Sequence, residues 1–535
     1  MKTYVQTLFG ARTISIAALM LNGVLQAAPY ASNIRVVDTS VTFILNEPAD
    51  ALKYRINNGP LQTLDGSTKG SKSFSLNAPT DKFVIIAGKN SPAGYTIPTG
   101  DTIAAAASGL SQPTAASGFN LISDDANPLV RFNSPRGVSV SNKPGATNFG
   151  TAYIANSAAG STGGRSLGDG LYAINADQSD AFGYGDTAQD SGNFFDWAGA
   201  SANSPFRIYV AANGEIYAAD YSDANGNIYR ENADLTAASQ VLADIGGPPT
   251  IPSGQNHGST TAVYVEGSLA DGNLVVYTLD EDLQSGVVDD RNSLWRYDIG
   301  AGTLPSTVVA NKVNQSNVLL PLATSDMQRG ADGKWYLSQN RSAGGEPGVA
   351  VLDADGVVLF DSLTASRTLL GNSSASDILR NVTGISVSED QKWLGLMLNN
   401  SDVAVVPLVD GIPDLANRLV VDTGTDVNSG RDIAFDAAGN IHYVSSGQAF
   451  YRVLAPGGNT WATTAWNGSA YLFKVASVPE LTISHASNQI TIEWPGGVLE
   501  ESSSLTGPWN DSATQTSPYI FTPTEGAKFF RLRGS

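Results

Sequence analysis

The chain reads as short alternations of apolar and polar residues broken by turns. Five such runs follow closely in the first hundred residues: NIRVV (33–37), SVTFIL (40–45), LKYRI (52–56), KSFSL (72–76) and KFVIIAG (82–88). A period of two puts alternate side chains on one face, as in a strand half-buried on a core. NNGP (57–60) and DGSTKG (65–70) supply the turns between them. The pattern predicts a β-sandwich over 28–98. Residues 99–120 are small and nearly uncharged, and read as a linker.

From 121 to 476 the pattern repeats. Each unit is a strand, a polar Gly turn, an aromatic-containing strand and a second hairpin. PRGVSV…TAYIAN (135–156), PFRIYVAANGEIYAAD (205–220), AVYVEGSLADGNLVVYTLD (262–280), SDMQRGADGKWYLSQN (325–340), TGISVSEDQKWLGLMLN (383–399) and GRDIAFDAAGNIHYVSSG (430–447) are the copies. Their anchors, Val138, Ile208, Val263, Met327, Ile385 and Ile433, are 70, 55, 64, 58 and 48 residues apart, a period near 59. A sheet apolar on both faces cannot bury them alone. Packed sheet on sheet around an axis, it buries both. The prediction is a β-propeller over 121–476 with six blades, five and seven being the neighbouring counts. SAYLFKV (469–475) is the expected closing strand of the last blade. Residues 477–535 alternate again in short strands between Pro/Gly turns, and predict a small C-terminal β module.

Phe43, Leu45, the turn at Glu47–Asp50, the strand from Leu52 and Gly70 before KSFSL carry a resemblance over about 65 residues. They resemble the Ig-like module of the flagellar hook-capping protein and of many secreted bacterial proteins. The resemblance implies a spacer or docking element. The copy at 205–220 resembles the NHL repeat through Pro205, Ile208, Val210, Gly214, Ile216, Tyr217, Ala219 and Asp220. VSEDQKWLG and GADGKWYL are similar to TolB-type blades. ITIEWP, SSSLTGPW, SPYIFTP and KFFRLR resemble a C-terminal module of secreted Verrucomicrobia–Planctomycetes proteins, for which attachment or sorting is the natural role.

Residues 1–27 read as a secretory signal. Lys2 and Arg12 precede the apolar stretch 13–25, which is short for a bilayer span, and cleavage is expected after Ala27. No other apolar run is long enough to span, so none is expected after cleavage. The expected location is secreted, extracellular or at the cell surface, with the periplasm as the alternative. The chain has no Cys, which excludes disulfides, thiolate metal sites and cysteine nucleophiles. Its net charge of −19 argues against nucleic acid and anionic membrane as partners.

Candidate chemistry is sparse. The three histidines are His257, His442 and His485, and there is no GxSxG nucleophile elbow. His442 lies inside an alternating strand and His485 in the terminal module, where structural and surface roles are expected. His257 stands in the polar loop GQNHGST ahead of a first strand, a position for ligand contact. Arg136, Arg207 and Arg431 each lie at the start of a first strand, with Asp326 and Asp432 at comparable places. A propeller would gather these at one mouth of its channel. The arginines could hold a carboxylate or sulfate there, or pair with neighbouring acids. LDEDLQSGVVDDRN (279–292) is either a solvated loop or a calcium site, and Ca2+ is the one cofactor candidate. Trp197, Trp461 and Trp466 are candidates for stacking on sugars, or for packing. A resemblance to six-bladed propellers of the gluconolactonase kind implies an axial divalent cation held by Glu, Asn and Asp. Asn156 and Asp220 suit that set, with no matching glutamate in the first blade.

The leading expectation is an exported, non-enzymatic binding or cell-surface protein whose propeller face takes a glycan, peptide or envelope partner. A metal-dependent hydrolase of the gluconolactonase kind is the alternative. A structural subunit of an extracellular matrix or filament is the third.

Overall fold

A computed structural model describes residues 27–90, 119–187, 197, 204–221, 228–242, 260–280, 293–301, 311–314, 325–340, 346–421, 423, 429–457, 460–476, 481–486, 488–523 and 527–533. They fall in two compact units, one within Met1–Ile97 and Pro456–Ser535, the other within Pro98–Ala455. The fold is all-β. Among the described residues the one α-helix is Ser362–Leu370, started by Asp361, which accepts the Thr364 amide at 2.7 Å, and ended at Gly371. Residues 99–118 of the expected linker, His257 and residues 281–292 of the acidic loop lie outside the described residues, while the linker's expected last two, Phe119 and Asn120, belong to a strand.

In the first unit, Ser40–Leu45 pairs with Ala31–Val37 and Gly70–Ser75 to form one sheet. The second sheet runs Tyr471–Ala476, Thr460–Trp466, Phe83–Lys89, Ala51–Ile56, Gln62–Leu64. Val41, Phe43 and Leu45 of one meet Leu52, Phe83 and Ile85 of the other in a single core. The expected closing strand, SAYLFKV, is thus an outer strand of this unit, and the ring ends earlier than 476. It pairs with Thr460–Trp466, which lies along Phe83–Lys89 from Thr460↔Lys89 to Trp466↔Phe83. Its exposed Leu472 alternates with half-buried Tyr471 and Phe473, which suits a strand with one face in water and not one buried on both. The last residues build two further three-stranded sheets around Ile492, Trp494, Leu499, Phe530 and Leu532.

Among the described residues the second unit contains six main sheets. The first strands of sheets I to VI are Pro135–Val140, Ile208–Val210, Thr260–Glu266, Ser325–Arg329, Val382–Val387 and Gly430–Phe435. All six anchors read from the sequence lie in them. Each first strand adjoins that of the next sheet, and the sixth adjoins the first, so the sheets form a closed ring. Each sheet then proceeds outward by antiparallel hairpins. Sheet VI is completed by Phe119–Leu121, from ahead of sheet I, which adds to Phe450–Pro456. Two ends of one chain segment are thereby held in one sheet, which closes the ring without an open edge.

Alternation explains why each sheet needs two neighbours. In sheet II, Ile216 and Ala218 pack with Tyr153 and Ala155 of sheet I. The intervening Tyr217 and Ala219 pack with Val263 and Val276 of sheet III. In sheet IV, Trp335 and Leu337 face sheet III while Tyr336 faces Ile385 and Leu396 of sheet V. Burying one such side chain contributes about 1.5–3 kcal/mol, so these inter-sheet cores are the main cohesion of the ring. Side chains also tie neighbouring first strands through backbone amides. Ser139 accepts from Val210 N and Ser386 from Phe435 N, both at 3.1 Å.

First strands come so close that glycine is required at two contacts. A Cβ on Gly137 would stand 2.6 Å from the Phe206 carbonyl oxygen, and one on Gly384 would stand 2.7 Å from Asp432 Cα. Both obstacles are backbone. Gly384→Ala is expected to destabilise the ring by about 1–3 kcal/mol through forced separation of sheets V and VI. Thermal unfolding followed by circular dichroism checks this, and an unchanged midpoint would contradict the close approach.

Candidate functional site

Arg207 crosses the axis of the ring. It leaves the start of sheet II only 2% exposed and donates to the carbonyls of Arg136 in sheet I and Thr383 in sheet V. It also donates to the Arg431 carbonyl of sheet VI at 2.7 Å. Its Nε lies 3.6 Å from Asp432 and 3.8 Å from Asp326, which brings in sheet IV. The sequence reading placed these five residues at one mouth, and the structure gathers them. Arg207, however, turns inward and its Nη groups serve protein carbonyls, so it is a tie between sheets and not a ligand-binding fork.

Asp326 and Asp432 are similarly absorbed. Asp326 accepts the amides of Ile385 and Met327, both at 2.9 Å. Asp432 accepts those of Val138 at 2.8 Å and Ile433 at 2.9 Å. Burial pushes the Asp326 carboxyl well above the usual carboxylate range, the charge of Asp432 adds to this, and Arg207 opposes it. Asp432 is raised too, chiefly by burial, while a hydrogen bond from Asp326 favours its ionised form. Two carboxyls facing one guanidinium out of water oppose each other's ionisation, and burial holds Asp326 in particular above the carboxylate range.

The other sequence candidates divide. Arg136 and Arg431 stay half-buried beside Arg207. Asn156 is fully buried and holds a turn. It accepts the Ser134 amide at 2.9 Å and donates to the carbonyls of Ala158 at 3.0 Å and Gly168 at 2.7 Å. Asp220 is fully buried, accepts Ser204 Oγ at 2.5 Å, and is raised in pKa by burial. Among the described residues no three His, Asp or Glu side chains gather as a metal would need. Trp197 and Trp461 are 1% and 2% exposed and pack in cores, which removes them as sugar platforms. Trp466 packs on Tyr471 at 4.9 Å between centroids. His442 is buried between Tyr451 at 2.7 Å and Asp436 at 3.3 Å, the structural role expected of it.

The sequence reading missed the opposite end of the ring. A cavity of about 230 Å³ opens where the first strands finish, lined from sheets I, II, IV, V and VI. Arg136 and Val140, which lines the cavity, stand at the two ends of one first strand, about 13 Å apart at a strand's rise. Asn142, Lys143, Tyr209, Gln328 and Glu389 bring polar groups to it. Asn142 Nδ2 donates to the Phe435 carbonyl at 2.9 Å, while its Oδ1 is buried without a protein partner. Glu389 is open to solvent within the concavity. Desolvation raises its pKa, with Asp436 and Asp390 adding to the rise and Asn142 and Lys143 opposing it. The Tyr209 ring leans on Tyr264 at 4.7 Å between centroids, and burial pushes its phenol up. The available signal was the polar residues just past each first strand, SNK (141–143) and SE (388–389).

No family model matches the chain, and no curated protein matches it. Among solved structures, a structural genomics protein of unknown function from Bacteroides thetaiotaomicron VPI-5482 is similar with TM-score 0.39 and 12% identity, over 80% of this chain and 98% of that one. The WD40 β-propeller domain of Doa1 is similar with TM-score 0.35 and 9% identity, over 63% of this chain and 97% of that one. No residue role is transferred from either.

The axial acids give stability a pH dependence of known sign. Because the folded pKa of Asp326 lies above the unfolded value, the folded state holds more protons between the two. Stability is therefore present below the unfolded pKa and is lost as pH rises through the folded one. Asp326→Asn should flatten the decline of unfolding free energy above pH ~4. Arg207→Met should cost about 3–5 kcal/mol by leaving two buried carboxyls without their cation, and more at higher pH. Urea unfolding across pH checks both. A wild-type slope in the first variant or wild-type stability in the second would contradict the arrangement.

Proposed function

We propose that the second unit is a six-bladed β-propeller and that the protein is an exported, non-enzymatic binder of a sugar-sized polar group at the end of a glycan. The cavity at the finishing ends of the first strands carries this reading. Its volume is the room of about eight waters at ~30 Å³ each, suited to one sugar unit and small for a drug-sized ligand. Its polar groups come from different sheets and converge: a carboxyl, an ammonium, two amides and a phenol. A carboxylate accepts from neighbouring sugar hydroxyls, amides both donate and accept, and the Tyr209 ring offers an apolar face. Arg207 crosses the ring below this cavity, which favours a chain end over a polymer threading the axis.

Export is supported by the basic and apolar character of residues 1–27. The chain is packed from the first residues that the expected cleavage would leave. Ala28 and Tyr30 are fully buried, and the Tyr30 amide donates to Asn46 at 2.7 Å. Among the described residues no helix is long and apolar enough to cross a membrane. The first unit and the terminal module act as spacer and attachment in this reading.

Calorimetric titration of the full chain with a panel of monosaccharides and short glycans tests the function. A saturable signal is expected, weakened about tenfold by Glu389→Gln, which removes a charge-assisted hydrogen bond. Because the Glu389 pKa is raised, wild-type binding should weaken as pH falls through that raised value, and the variant should lose this dependence. Chelator should change neither. No binding across the panel, or affinity indifferent to Glu389→Gln and pH, would sink the glycan reading.

A further inference from the structure

The cavity at the finishing end takes its inner lining from the two-residue period of the first strands. Ser139, Tyr209, Gln328, Ser386 and Ala434 each follow an anchor by one position, and all five line the cavity. The anchors pack between sheets, so the side chain that follows each one turns to the other face of its strand. Tyr264 holds the same place in sheet III and stands against the Tyr209 ring, at 4.7 Å between centroids. The lining is therefore uneven. It has an aromatic ring from sheet II, hydroxyls from sheets I and V, and an amide from sheet IV.

Hydrogen bonding within the protein leaves definite openings there. Ser139 and Ser386 accept the amides of Val210 and Phe435 through Oγ, so each keeps its own hydroxyl proton to donate. Asn142 uses Nδ2 on the Phe435 carbonyl at 2.9 Å, and its Oδ1 is buried without a partner. A buried acceptor left unbonded is costly, so this oxygen calls for an N–H or O–H from a ligand. Lys143 and Glu389 are both exposed and line the same cavity, and among the described residues they do not close to an ion pair. The ammonium can only donate and the carboxylate can only accept.

A ligand group must then bring a donor to Asn142 and an acceptor to Lys143 close together, because the two residues adjoin in the chain. A hydroxyl meets that demand and so does an amide, whose N–H and C=O sit on adjacent atoms. An ammonium does not, since it has no acceptor and Lys143 repels it. The sheet II side decides between the first two. Tyr209, Val210, Ala211 and Ala212 offer no polar side-chain group there beyond the phenol. An N-acetyl group carries a methyl for such a wall, whereas a bare hydroxyl leaves the wall uncovered.

From the unpartnered Asn142 oxygen beside Lys143, in a cavity with an apolar side, we infer that the sugar it selects is an N-acetylated amino sugar; this rests on the glycan reading and narrows it. The acetamido N–H donates to Asn142 Oδ1, its carbonyl accepts from Lys143, and its methyl packs on Tyr209 and the alanines. A neighbouring ring hydroxyl donates to Glu389.

Calorimetric titration of the full chain with N-acetylglucosamine, glucosamine and glucose at neutral pH tests the inference. N-acetylglucosamine should bind about tenfold more tightly than glucose, the effect of one or two net hydrogen bonds, and glucosamine should bind least. Lys143→Met alters an exposed side chain and should bring the ratio of the first two affinities toward one. Asn142→Ala should do the same, and if loss of its tie to Phe435 prevents folding, Lys143→Met decides alone. Equal binding of glucose and N-acetylglucosamine overturns the acetamido inference and leaves the glycan reading standing. Tightest binding of glucosamine overturns it as well, by giving Glu389 an ammonium. So does a preference for N-acetylglucosamine that both variants keep. Binding of other glycans but none of these three removes this inference alone, and binding of no glycan at all removes both.

Discussion

A ring of sheets has a hole where its first strands meet, and what fills that hole decides whether the sheets form one body. Here the filler is a cation. Arg207 satisfies carbonyls from sheets I, V and VI and stands between carboxyls from IV and VI. Burying it costs desolvation that only several well-placed acceptors offset, so the contact specifies an arrangement more than it adds raw stability. It also breaks the equivalence of the sheets. Sheet II supplies the arginine, sheets IV and VI the acids, and sheets I and VI the flanking arginines. The two ends of the ring consequently differ: a buried cation between carboxyls at the start, and a mixed polar cavity at the finish.

Much of the ring was legible because burial on two faces leaves a mark in the sequence. Val138, Ile208, Val263, Met327, Ile385 and Ile433 are each under 10% exposed, and each lies in an innermost strand. Alternation says which face of a strand is apolar, but not which sheet will cover it. That is why SAYLFKV could be read as a closing strand of the ring, when the hairpin it makes with Thr460–Trp466 joins a sheet edge made some 380 residues earlier by Phe83–Lys89. The true closing strand, Phe119–Leu121, has three residues and no pattern to find.

The candidate sites show a similar limit. Arg207, Asp326 and Asp432 were found as a constellation because they recur at the starts of first strands. Sequence cannot say whether a charged side chain turns toward water or toward its own backbone, and these three turn inward. Asn142 and Glu389 escaped notice because each sits beyond a strand in what reads as ordinary polar turn. Only closure of the ring brings the finishing ends of five sheets around one cavity. A site made by closure leaves no local motif.

If the axial cluster holds the ring as one body, the amides it occupies should open together. Val138 and Ile385 donate to Asp432 and Asp326 from sheets I and V, while Met327 and Ile433 donate from IV and VI. Native-state hydrogen exchange at these four amides measures this directly. The expected result is a single opening free energy, close to that for unfolding the whole ring. Four different free energies, with any sheet opening well below the rest, would show that the sheets are held singly and that Arg207 is not their common tie.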